Sequence, residues 1–223
     1  MHVQSLTRSA FIAGGPTECF SKKMPARQAS GADGRDLLPI DELYGRYFVV
    51  DRRIEIYVDA IRRDAHLFDA DPEELLQIVR LHEYAHAVVH LGISGEVARA
   101  HLSSFGDDEA TDWSGFMDQR TKQFVSLPED VHELLAQAIT YDALRSLGAE
   151  VAERMCMAFT TVEKRQPEIY KVPQEIKVMA GTIDWPLALD AARGEITAPR
   201  ADGFVPLLGV RSLLCRPKLA TTR

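Results

Sequence analysis

The chain has 223 residues, of which 46% are hydrophobic and 26% charged, the profile of a globular protein long enough to bury a real core. Its formal net charge of −7 argues against a mainly electrostatic grip on nucleic acid or on an anionic membrane, and no apolar run approaches bilayer length. Three scattered cysteines, Cys19, Cys156 and Cys215, give neither a disulfide framework nor a thiolate metal site, and fit a reducing, cytoplasmic location.

In chain order, residues 1–37 are rich in Gly, Ser, Ala, Lys and Arg without a sustained period. They are expected to form a disordered arm, with residues 38–223 as a single domain. The patch "AFIAGG" is too short and too weakly apolar for a secretory core. "YFVV" (47–50) and "IEIYVDAI" (54–61) read as two strands of a small antiparallel hairpin. Ile54, Ile56 and Val58 alternate with polar neighbours, and Asp51, Arg52 and Arg53 turn between the strands without help from a glycine. If it borders the cleft, strand 54–58 could pair with an extended peptide.

Residues 71–92 carry the clearest helical signal. Asp71 can cap, Pro72 suits the first turn, Glu74 completes a capping box and Gly92 offers a stop. Leu75, Val79, His82, His86 and Val89 recur at steps of four and three, so they share one face. Residues 94–116 read as loop with one short helix. A second strong helix runs through "SLPEDVHELLAQAITYDALRSLG", with Ser126 and Pro128 near its start and Gly148 at its close. A third covers 149–165 and breaks at Pro167, and a short one is expected over 185–194. The C-terminal half is therefore mostly helical, and the fold class is α+β.

The chemistry lies in "LHEYAHAVVH". His82 and His86 stand one helical turn apart, the spacing at which two imidazoles can bind one Zn²⁺. Glu83, one step round the helix, is placed to take a proton from a water on that ion. Left without a partner, His, Glu and His on a buried face would cost several kcal/mol, on the order of the desolvation of polar groups. His90 continues the series, but it stands about 12 Å along the helix from His82 and cannot converge on the same ion. It is read as a surface or supporting residue. The best third ligand is Glu133 in "HELLAQAIT", on the second helix, with Gln137 one turn further on to hold a ligand histidine by its other nitrogen. His132 is a competing ligand or a contact to substrate. His101 and the acidic group Asp107, Asp108 and Glu109 are weaker candidates. Tyr141 and His132 are candidates to stabilise an oxyanion.

The set His82, Glu83, His86, Glu133 and Gln137 resembles that of the gluzincins, metallopeptidases in which an HExxH helix packs on a second helix supplying a glutamate. The order of "RIEIYVDAI", "LHEYAHAVVH" and "HELLAQAIT" is similar to that of small cytoplasmic zincins of the ImmA/IrrE type. The resemblance implies a zincin-like domain holding one Zn²⁺, with a protein or peptide substrate and without nucleic-acid or membrane partners. His82, His86 and Glu133 would be its ligands and Glu83 its general base. The alternative is a non-catalytic regulatory protein that keeps a zincin shell around a structural zinc.

Overall fold

The computed structural model describes residues 16–21, 44–92, 113–181, 183, 185 and 189. The fold is α+β, a small mixed sheet beside a mostly helical body. Strands β1 (Thr17–Ser21), β2 (Gly45–Phe48) and β3 (Arg53–Tyr57) lie in the order β1-β3-β2. β2 runs antiparallel to β3, as the hairpin reading expects, while β1 joins the other edge of β3 in parallel, from Thr17 opposite Arg53 to Ser21 opposite Tyr57. The sheet is therefore mixed rather than antiparallel. Residues 17–21, expected within an unordered arm, gain order from this main-chain pairing and from Glu18. Both carboxylate oxygens of Glu18 accept from the Arg80 guanidinium, at 2.6 and 2.9 Å. β3 is hydrogen-bonded along both edges, so it is not the strand that an added peptide could pair with, contrary to the expectation for 54–58.

Ile54 and Ile56 point inward and are fully buried, as their alternation requires. The chain then leaves the strand earlier than "IEIYVDAI" suggests, because α1 (Val58–Asp64) begins at Val58. There Ala60, Ile61 and Asp64 are the buried positions, a helical rather than an alternating set. In the hairpin, Arg52 takes the left-handed conformation, with φ of 49°, that a glycine would adopt more readily. A 3-10 turn at Ala65–Phe68 ends on a second such residue, Asp69.

α2 (Pro72–Leu91) begins as the sequence predicts: Asp71 Oδ1 accepts from the main-chain N–H of Glu73 at 2.9 Å and of Glu74 at 3.2 Å. The Glu74 carboxylate does not complete a capping box; it pairs with Arg154 at 2.7 Å. Asp71→Ala should therefore cost about 1 kcal/mol, read as a lowered midpoint in urea unfolding with the slope unchanged. Gly92 follows the last turn with φ of −64°, so its role is space and not a left-handed cap. A Cβ there would lie 2.5 Å from the Val88 carbonyl oxygen.

The C-terminal half of α2 is buried all round, from Ala85 to Leu91, and not only along the expected face. Such a helix is the centre of a core. The sheet, α1, α3 (Trp113–Ser126), α4 (Glu129–Arg145) and α5 (Ala149–Glu163) all pack against it, α4 most extensively. α3 was not foreseen beyond one short helix. It ends where Ser126 Oγ donates to the Gln123 carbonyl at 2.7 Å, so Ser126 closes α3 and does not open α4. α4 starts after Pro128, with Glu129 and Asp130 in the first turn, where carboxylates favour a helix N-terminus. Gly148 precedes α5 as its N-cap residue. The expectations for residues 94–112 lie outside the described residues, as does most of the expected helix at 185–194.

Two buried carboxylates fasten the chain that follows α5. Glu163 accepts from the Val172 main-chain N–H at 2.6 Å and pairs with Lys177 on α6 (Gln174–Met179). Asp142 of α4 accepts from the Gly181 main chain and from Trp185 Nε1, the latter at 2.9 Å. The 3-10 turn Glu168–Tyr170, between Glu163 and its partner Val172, packs against α4. Among the described residues, no helix is long and apolar enough to cross a membrane.

Candidate metal centre

The packing of α2 on α4 brings His82, His86 and Glu133 together. His82 Nε2 and His86 Nε2 lie 3.1 Å apart. Glu133 Oε2 is 3.5 Å from His82 Nε2, and Glu133 Oε1 is 3.5 Å from His86 Nε2. The two rings meet edge to face, with centroids 4.7 Å apart and planes at 88°. Ligand atoms bound at about 2.0–2.1 Å in tetrahedral geometry stand about 3.3 Å from one another. The nitrogen pair and the contact of each nitrogen with its own Glu133 oxygen lie close to that value, and one ligand atom from each of the three residues falls within 4.8 Å of the others. Two imidazole nitrogens and a carboxylate, all within 5–6% exposure or less, could thus hold a metal ion.

Glu83 is fully buried on the neighbouring side of α2, turned towards β2. The main chain of Gly45 abuts its side chain. Its charge also reaches Tyr57, whose phenol is raised above its usual pKa mainly by burial, then by Glu55, and least by Glu83.

His90 is not at the surface but fully buried, and it has a structural task. Thr121 Oγ1 donates its single proton to the Met117 carbonyl at 2.9 Å, so it accepts from His90 Nε2 at 3.1 Å. His90 Nδ1 then accepts from the Tyr47 hydroxyl at 2.8 Å. This neutral tautomer ties β2, α2 and α3 together. Burial raises the Tyr47 phenol far above its usual pKa, so it remains a donor.

The other predicted residues are placed as follows. His132 lies beside the centre, its ring centroid 6.3 Å from that of His86, but its Nε2 donates to the Leu127 carbonyl at 3.2 Å. Its ring stacks on Phe124 at 4.8 Å. Gln137 is buried one turn past Glu133 and donates to Gln166 Oε1 at 3.3 Å, so its amide serves the end of α5 and not a ligand histidine. Tyr141 packs on Phe159 of α5 at 5.6 Å and under the Lys177 ammonium, two turns along α4 from Glu133. His101, Asp107, Asp108 and Glu109 lie outside the described residues. One neighbour was missed: Tyr170, buried in the 3-10 turn, has its ring 6.4 Å from that of His82. Nothing periodic in "QPEIYKVP" marks it, because the Glu163 clamp places it there.

No protein-family model, curated protein or solved structure matches the chain.

Proposed function

We propose that the chain is a zinc-dependent metallopeptidase of the gluzincin type, with His82, His86 and Glu133 as ligands and Glu83 as general base. The observation that carries the proposal is the convergence of His82, His86 and Glu133, each offering one ligand atom within 4.8 Å of the others, with a buried glutamate on the same helix as the histidines. An N₂O donor set suits Zn²⁺. A zinc ion held by His82, His86 and Glu133 would supply Lewis-acid chemistry for the scissile carbonyl and for water. Glu83 would serve as the general base that accepts a proton from the attacking water and returns it to the leaving amine. β2 is an edge strand among the described residues and abuts Glu83, which makes it the strand for an extended peptide to pair with. Cys19 and Cys156 are free thiols, in keeping with a reducing, cytoplasmic location.

A second reading has its own support. His82 and Glu83 have no exposed surface, and His86 and Glu133 have 6% and 5%, so a purely structural ion in a non-catalytic protein also fits this burial. Incubation with an unfolded protein separates the two. The peptidase cleaves it, stops with chelator and resumes when Zn²⁺ is restored. A structural site gives no cleavage in any arm, and chelator then lowers only the unfolding temperature.

A further inference from the structure

The Glu83 side chain meets main chain, not another side chain, on the β2 side. A Cβ built on Gly45 would lie 2.8 Å from both Cγ and Oε1 of Glu83 and 3.0 Å from Val79 Cγ1. Gly45 has no left-handed backbone to explain a glycine; the left-handed glycine among the described residues is Gly181. Space is the reason for it.

Neither wall of this contact can readily retreat. Gly45 is paired with Ile56, and the Tyr57 main-chain N–H donates to the Tyr44 carbonyl at 2.8 Å. Tyr44 is fully buried with its ring edge-on to Phe68, and Tyr47 is anchored through its hydroxyl to His90. α2 itself is held by its packing on α4. The movable partner is the Glu83 side chain.

We infer that Gly45 is a positioning residue: the bare main chain of β2 is the wall that sets the rotamer of the Glu83 carboxylate beside the histidine pair. The steric part stands on the contact alone, and its catalytic consequence rests on the metallopeptidase reading. A methyl group at position 45 turns the carboxylate away without touching a ligand residue. A catalytic group misplaced by about 1 Å costs on the order of 100-fold in rate.

The test uses the full-length zinc-loaded protein with Gly45→Ala, alone and combined with Glu83→Gln or Glu83→Ala. Zinc content, kcat and KM on an unfolded protein substrate, and Tm are measured. Gly45→Ala should keep its zinc, lose about 100-fold in kcat with KM within about threefold, and lose roughly 5 °C in Tm through overpacking. The Tm loss should persist in the Glu83→Gln background, where the side chain keeps its shape. It should shrink markedly in the Glu83→Ala background, where Cγ and Oε1 are gone and only the 3.0 Å contact with Val79 remains. Wild-type kcat in Gly45→Ala, or an equal Tm loss in both backgrounds, overturns the inference. If Gly45→Ala alone fails to fold, the double variant with Glu83→Ala should still fold, and its failure is equally contrary. A wild type that cleaves nothing removes the metallopeptidase reading, while the Tm comparison still decides the positioning.

Discussion

Glu83→Gln should abolish peptide hydrolysis while leaving the metal in place. The substitution keeps the shape of the side chain, so the contact with Gly45 and Val79 is retained. It removes the one property the mechanism needs, a basic oxygen able to take a proton. Positioned acid–base catalysis contributes roughly 10²–10⁴-fold, and the loss in kcat should fall in that range or exceed it, with KM little changed. Stability should hold or rise, because a neutral amide is less costly than a carboxylate at a position with no exposed surface. Activity assays, metal analysis and a melting curve on one preparation check all three outcomes. Undiminished hydrolysis would remove Glu83 from the mechanism.

Glu133→Gln should weaken metal binding by more than about 100-fold, beyond the 10–100-fold typical of partners that only orient a ligand. A carboxylate oxygen stands 3.5 Å from each histidine nitrogen, and the residue is 5% exposed. At a metal concentration a thousand times Kd, binding stabilises the fold by about 4 kcal/mol. For a chain of this size that is roughly 8–16 °C in Tm. The variant should lose most of this metal-dependent increment. Gln137→Ala provides the contrast. Its amide bonds to Gln166, so the substitution should lower Tm with and without metal alike and leave the affinity within a few-fold. Isothermal titration and paired melting curves distinguish the two variants.

What the sequence discloses and what it conceals divide along range of interaction. The start of α2 is local chemistry, a cap and a proline, and its HExxH spacing needs only helical geometry, so both are legible. Glu133 can be picked out because it stands on a second strongly periodic helix, although the closing of that helix onto His82 and His86 is a matter of packing. β1 is not legible, since five residues in a polar, glycine-rich stretch become a strand only when β3 and Arg80 are present to pair with them. The turn from strand to helix at Val58 is hidden because "IEIYVDAI" satisfies both periods over a short span. Spacing alone points Gln137 towards a histidine, while its partner is Gln166, just past the end of α5. His90 looks superfluous after the HExxH pair, yet it is a buried strut between Tyr47 and Thr121. The approach of Gly45 to Glu83 and of Tyr170 to His82 depends on tertiary closure and leaves no trace in local pattern.

The most direct test of the central claim is the metal content of the purified chain beside its His86→Ala variant, by elemental analysis after equilibration with Zn²⁺ and removal of the excess. One equivalent of zinc in the wild type, and far less in the variant, is the predicted result. A wild type without stoichiometric metal would mean that the two imidazoles and Glu133 are held together by a shared proton and an ion pair, and equal zinc in both proteins would place the ion elsewhere; either contradicts a metal centre between α2 and α4.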